Sequence, residues 1–169
     1  MVHFNVRNGS QLFTLFSLIS CLLVVTSACS WFSKKSEPQL IIINVLSEED
    51  FQDCHIKGSI HVSFDDIEEK IKTFDKQNSY VIYCADYACM ASGYVAKLMQ
   101  DKGFEHVWEY AGGMNDWFNK GLPVEGPCKK AYLHAENIKL DDEDASHGVQ
   151  ILTAEQLQDK IKEFENKKA

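Results

Sequence analysis

Apolar positions along this chain fall into two regimes. From Leu12 to Val25 they run almost unbroken, inside a stretch from Asn8 to Ser33 without a single Asp, Glu, Lys or Arg. Beyond Pro38, short apolar runs alternate with segments of helical spacing. Leu40–Val45 (LIIINV) is a continuous β-branched run, the kind that forms a strand buried on both faces. Ser47 followed by Glu48, Glu49 and Asp50 reads as an N-cap with acids in the first helical turn. Ser59–Ser63 predicts a second strand, and Asp65–Phe74 sets Ile67, Ile71 and Phe74 on one helix face. Tyr80–Tyr83 (YVIY) predicts a third strand. Met90–Lys102 predicts a helix with Ala91, Val95, Leu98 and Met99 apolar and Gly103 just past its end. His106–Tyr110 reads as a strand and Gly113–Asn119 as a short helix closed by Gly121 and Pro123. Such alternation predicts an α/β domain with a largely parallel central sheet flanked by helices.

After Cys128 the pattern fades into a polar segment containing Asp141-Asp142-Glu143-Asp144, read as a solvated linker. Thr153–Asn166 then predicts a helix. Thr153 and Gln156 have capping-box spacing, and Leu152 and Leu157 stand at the staple positions. Leu157, Ile161 and Phe164 form a narrow stripe, expected to dock on the domain's own surface.

The N-terminal run ends in small residues, Thr26-Ser27-Ala28, directly before Cys29. A short apolar run closed by small residues has the form of a secretory signal. Val25-Thr26-Ser27-Ala28-Cys29 resembles the lipobox of bacterial lipoproteins, which implies cleavage before Cys29 and lipid on its thiol. An uncleaved N-terminal anchor is the alternative. Both export the rest of the chain. The expected location is therefore the bacterial cell envelope, lipid-anchored on the periplasmic face. With Ser30 rather than Asp after the lipidated Cys, the outer membrane is favoured over the inner where two membranes exist. The parts of the chain are then a signal over 1–28, lipidated Cys and tether over 29–38, the α/β domain over 39–126, an acidic linker over 127–150, and an amphipathic helix over 151–169.

Composition adds two constraints. A net charge of −8 over 169 residues argues against nucleic acid as a partner, since phosphates need a basic face. It also assigns membrane attachment to lipid, because anionic headgroups repel an acidic body. The six cysteines matter more. Cys21 lies in the signal and Cys29 takes lipid, which leaves Cys54, Cys84, Cys89 and Cys128 in an oxidising compartment. Their spacing is not that of a zinc site, so no metal is assigned. No phosphate-binding glycine loop occurs, and no cofactor is called for.

Cys84 follows a predicted buried strand and precedes a helix, where an α/β sheet gathers its ligands. A helix N-terminus favours thiolate over thiol, and the thiolate is the nucleophile. Cys89 brackets the same loop. The pair reads as a redox or persulfide couple, as a fixed disulfide, or as two independent thiols. Cys54 is expected as a packed structural thiol; pairing with Cys128 is open.

Ile42-Ile43-Asn44-Val45, Glu49-Asp50-Phe51, His55-Ile56-Lys57-Gly58-Ser59-Ile60, Val81-Ile82-Tyr83-Cys84, Gly103-Phe104-Glu105-His106-Val107, Gly112-Gly113-Met114-Asn115-Asp116-Trp117 and Leu122-Pro123-Val124 occur in that order. Together they resemble the motifs of a rhodanese-like domain over residues 39–126. The resemblance implies a sulfurtransferase whose Cys84 accepts a sulfane sulfur as a persulfide. The amides of Ala85, Asp86, Tyr87, Ala88, Cys89 and Met90 would cradle an anionic substrate. The loop departs from the family's usual C-R-x-G-x-R-S/T: it reads C-A-D-Y-A-C-M, with neither Arg, an added acid in Asp86, and Cys89 in place of the second Arg. Asn44 and Leu46 likewise replace the Asp and Arg of a family ion pair. These departures argue against ordinary thiosulfate transfer. They favour persulfide or thiol-redox chemistry, with Cys84 as nucleophile, Cys89 as resolving or disulfide partner, and a small thiol or sulfane-sulfur compound as donor or acceptor. The alternative is a non-catalytic envelope module that binds a protein or small molecule through the same loop.

Overall fold

The computed structural model describes residues 37–138 and 148–168. The signal-like run, Cys29, and the acidic cluster at 141–144 lie outside the described residues.

Four strands form a parallel sheet in the order β3-β1-β4-β5: β1 (Leu40–Asn44), β3 (Ile60–His61), β4 (Ser79–Tyr83) and β5 (Val107–Tyr110). All five residues of β4 are buried. Alternation along it feeds two cores. Tyr80 and Ile82 face a cluster with Ile43, Val95, Met99 and Val107, whereas Val81 and Tyr83 face Ile42, Tyr110, Met114 and Trp117. A continuous apolar strand is what burial on both faces requires. β2 (His55–Ile56) pairs antiparallel with β6 (Val124–Glu125) in a separate two-stranded ribbon.

The helices are α1 (Glu48–Asp53), α2 (Ile67–Ile71), α3 (Ala91–Asp101), α4 (Gly113–Asn119) and α5 (Ala154–Lys168). The Ser47 hydroxyl accepts the Asp50 amide at 3.1 Å, as its N-cap position requires. α2 is shorter than the predicted 65–74, because Asp65–Asp66 and Lys72–Phe74 are turns at its two ends. Before α5 the capping box forms: the Thr153 amide donates to Gln156 Oε1 at 2.9 Å and the Gln156 amide to Thr153 Oγ1 at 3.3 Å. Leu152 and Leu157 are buried in the Trp117 cluster, so α5 docks on the domain itself. Just before it, the Glu109 amide donates to the Gln150 carbonyl and the Leu152 amide to the Glu109 carbonyl. The returning chain thereby covers the outer edge of β5. Among the described residues no helix is long and apolar enough to cross a membrane.

Two expectations need correction. Residues 127–138 are not a solvated linker. Leu133, in a 3-10 turn over Ala131–His134, is fully buried. Asn115 Nδ2 donates to the Tyr132 and Ala135 carbonyls at 2.6 and 3.0 Å, and Asn119 Nδ2 to the Leu133 carbonyl at 2.9 Å. Composition hides this, because residues 127–138 form a strap held by its backbone groups, a cysteine and one leucine. Cys54 is not a lone packed thiol either: it forms a disulfide with Cys128, Cα atoms 4.6 Å apart, which ties the start of the strap to the end of α1.

The core carries a titration signature. Burial pushes the Tyr83 and Tyr110 hydroxyls up from their ordinary value, and the hydrogen bond from Tyr110 to Asp116 adds to its shift. Burial raises Tyr80 and Tyr132 in the same direction. A group raised in the folded state contributes stability that is complete below its unfolded pKa, about 10 for tyrosine, and is lost as pH climbs above that. Denaturant titrations should show unfolding free energy falling steadily from about pH 10 upward, with a shallower fall in Tyr110→Phe.

Candidate functional site

β4 ends by delivering Cys84, 0% exposed, to the carboxyl edge of the sheet. The loop beyond it rests on the start of α4. The Met114 amide donates to the Cys84 carbonyl at 2.9 Å and the Asn115 amide to the Ala85 carbonyl at 2.8 Å. Gly113 permits this approach. It has φ +63°, and a Cβ there would lie 2.6 Å from both Ala85 C and Asp86 N. The Gly-Gly of the G-G-x-x-x-W motif is thus a seat for the loop.

Of the three states left open by the sequence, the structure holds the disulfide. Cys84 and Cys89 are bonded, with Cα atoms 6.3 Å apart, inside the span such a bond closes. The two sulfurs are not equivalent. Cys84 is sealed in the core, whereas Cys89 is partly exposed and followed by the exposed Met90. An outside thiol therefore reaches Cys89 first.

Three of the six amides assigned by resemblance to an anion are engaged within the protein. The Tyr87 amide donates to Asn137 Oδ1 at 3.1 Å, the Ala88 amide to Asp86 Oδ1 at 3.0 Å, and the Cys89 amide to the Asp86 carbonyl at 3.2 Å. Asp86 fills from within the role an anion would play from without. Asn137 also donates from Nδ2 to the Gly112 carbonyl at 3.0 Å, so it stitches the strap, the loop and the start of α4 together.

A polar pair lies beneath Cys84. Ser92 Oγ, in the first turn of α3, is 3.4 Å from Cys84 Sγ and donates to Glu109 Oε1 at 2.7 Å. Ser92 is 0% and Glu109 3% exposed. Neither was singled out from the sequence. A signal existed for Glu109, since it shares the strand parity of Val107 in H-V-W-E-Y and a strand buried on both faces has no solvent side. Asn137 carried no such signal.

Elsewhere, Asn44 takes the place of a family ion pair by a local bond: its Oδ1 accepts the Leu46 amide at 2.9 Å in a fully buried position. His55 is a framework residue. Its Nδ1 lies 2.8 Å from the Phe51 carbonyl and its ring stacks on Phe51. Among the described residues no three His, Cys, Asp or Glu side chains converge as metal ligands would.

Gly113→Ala should displace the Cys84–Met90 loop, because positive-φ strain and overpacking against backbone act together. A loss of about 3 kcal/mol in unfolding free energy is expected, together with faster amide exchange at Met114 and Asn115.

The family model for the rhodanese-like domain matches residues 29–120. YtwF of Bacillus subtilis is 32% identical over 89 residues, spanning 53% of this chain and 84% of its own length. The thiosulfate sulfurtransferase GlpE of Coxiella burnetii is 27% identical over 78 residues, spanning 46% of this chain and 71% of its own. A solved structure described as a rhodanese with anions from E. coli is 27% identical, with a TM-score of 0.43 over 52% of this chain and 98% of that one. The chain belongs to the rhodanese-like domain family.

Proposed function

We propose that this protein carries out sulfane-sulfur and thiol-redox chemistry through Cys84 and Cys89. The observation that carries the reading is the bonded pair at the end of β4, one sulfur sealed and one reachable. Family membership supports a sulfur-transfer role, and GlpE's name assigns that relative thiosulfate as its substrate. In this chain the loop has no Arg or Lys between Cys84 and Met90, and Asp86 occupies two of its amides. A persulfide or other weakly charged donor fits that loop better than a dianion.

The chemistry runs in three balanced steps. In the dithiol form, the Cys84 thiolate attacks the outer sulfur of a donor R–S–SH, forming Cys84–S–SH and releasing RS⁻. The Cys89 thiolate then attacks the inner sulfur, forming the Cys84–Cys89 disulfide and releasing HS⁻. A low-molecular-weight or protein thiol attacks the sulfur of Cys89, the partly exposed residue of the pair, and a second thiol completes reduction, with the two reductant thiols leaving as their own disulfide. Removing the second cysteine halts this cycle at the persulfide. Cys89→Ser, reduced and treated with inorganic polysulfide, should retain one added sulfur on the Cys84 peptide by mass spectrometry. The wild-type chain should release sulfide and return to the disulfide, and Cys84→Ser should gain nothing at that peptide. Absence of added sulfur on Cys84 in Cys89→Ser would transfer the assignment to a non-catalytic binding module.

The same reading puts the protein in the bacterial cell envelope, cleaved before Cys29 and lipid-anchored there. Residues 12–29 supply the pattern for this, and two disulfides in the body suit an oxidising compartment. Outer-membrane sorting follows from Ser30 where two membranes are present. Protein recovered from its native cells should begin at a lipid-modified Cys29. A chain that keeps Met1 rules out cleavage and lipidation at Cys29.

A further inference from the structure

We propose that the surface beside Cys89 docks a protein thiol, a cysteine-bearing segment with apolar and basic neighbours, which reduces the Cys84–Cys89 disulfide. This rests on the reading of Cys84 and Cys89 as an exchanging pair and names the class of thiol that serves it. Among the described residues, the exposed large hydrophobic side chains are Ile60, Phe64, Met90, Tyr94 and Ile138. Three of them gather next to Cys89. Met90 follows it in the chain and, as the N-cap of α3, has helical backbone angles. The Tyr94 amide donates to the Met90 carbonyl at 3.1 Å, so the two side chains share one helix face. The Phe64 ring, from the segment before α2, lies 5.6 Å from that of Tyr94. Singly scattered apolar residues need no explanation, but a contiguous group beside an exchangeable bond marks a contact surface.

A small thiol touches only the sulfur it attacks and leaves these side chains in water. A polypeptide covers them, and aromatic rings bury much area for little lost rotamer freedom. Charge decides the chemistry of the occupant. Asp65, Asp66, Glu68 and Glu69 are exposed directly after Phe64, and Asp86 lies in the loop before Cys89. On the same two helices, Lys72 pairs with Glu69 and Lys97 with Asp101, which leaves Lys70 against the other acids. The balance around the rings is therefore negative. It attracts a basic segment and repels an acidic one. A Lys or Arg beside the incoming cysteine also lowers its thiol pKa and so enriches the thiolate that attacks.

The exchange balances without a further reagent. The partner's thiolate attacks Cys89 Sγ, a new S–S bond forms there, and the Cys84 sulfur leaves as a thiolate. A second cysteine of the partner then attacks the partner's first sulfur and releases Cys89 as a thiolate. The partner departs with an internal disulfide, oxidised by the two electrons that reduce the pair. Its two thiol protons end on Cys84 and Cys89.

The test uses the full chain with both disulfides formed. The probe is a synthetic decapeptide with two cysteines set among leucine and lysine. Matched peptides carry glutamate for lysine or serine for leucine, and dithiothreitol serves as the small dithiol. Appearance of alkylatable Cys84 and Cys89 is followed by peptide mass, each rate normalised to the same thiol's rate with cystine. The leucine–lysine peptide should reduce the pair about tenfold faster than either matched peptide. Phe64→Ser and Tyr94→Ser, both at exposed positions, should slow that peptide about tenfold and leave the dithiothreitol rate unchanged. Asp65→Lys should slow the lysine peptide and speed the glutamate one. Equal rates for the three peptides, or variants that slow peptide and dithiothreitol alike, overturn the docking surface. A dimer that dissociates in Tyr94→Ser, seen by sedimentation, gives the face to a second copy and overturns it too. Should docking behave as expected while Cys89→Ser takes no sulfur from polysulfide, the surface stands and the sulfur-transfer reading fails.

Discussion

Everything in the site depends on β4 being buried from end to end. A strand hydrogen-bonded on both sides and packed on both faces cannot slide, since a one-residue slip would exchange the contents of two cores. Tyr83 fixes its far end. Its hydroxyl meets the Ile56 amide at 3.1 Å and Ser59 Oγ at 2.9 Å, tying the strand to the β2–β3 turn. Cys84 is the next residue, so its sulfur takes its position from the most constrained backbone in the molecule rather than from the loop it begins.

The loop itself is constrained from two directions. Below, Gly113 brings the first amides of α4 against the Cys84 and Ala85 carbonyls. From the side, Asn137 holds the Tyr87 amide. Asn137 can do so because the strap is fixed along its length. Asp53 accepts the Lys129 and Lys130 amides, the disulfide joins Cys54 to Cys128, and Asn115 and Asn119 hold the carbonyls between. Constraints on both sides lower the entropy lost when Cys84 and Cys89 meet, and so favour the bonded pair over two separated thiols.

Strands and helices of the domain were legible because each announces itself through burial. LIIIN and YVIY read as strands since both faces are covered, and the Thr153–Gln156 box named the start of α5 to the residue. Cys84 and Cys89 were legible through their place after β4 and their chemistry. The strap was not. Its hold comes from side-chain amides of α4 reaching backbone carbonyls, and any polar sequence supplies carbonyls. Ser92 was hidden for a similar reason, since a serine in a first helical turn looks like ordinary helix chemistry. Only the pairing of β5 against β4 puts Glu109 within reach of it.

The charge pattern then constrains what can bind. Asp86 places one carboxylate inside the loop, bonded to the Ala88 amide, and Glu109 places another beneath it. In a loop with basic side chains, a dianionic donor gains attraction that offsets its desolvation. Here the same donor would meet an acid already bonded to the Ala88 amide, and each added negative charge would raise the cost of ionising Cys84. A donor that arrives weakly charged avoids that repulsion, and an attacking thiol need only reach Cys89. Substituting an acid and a second cysteine for two arginines therefore does more than weaken anion binding. Under the proposed function, it favours exchanging bonds between sulfurs over holding a charged substrate.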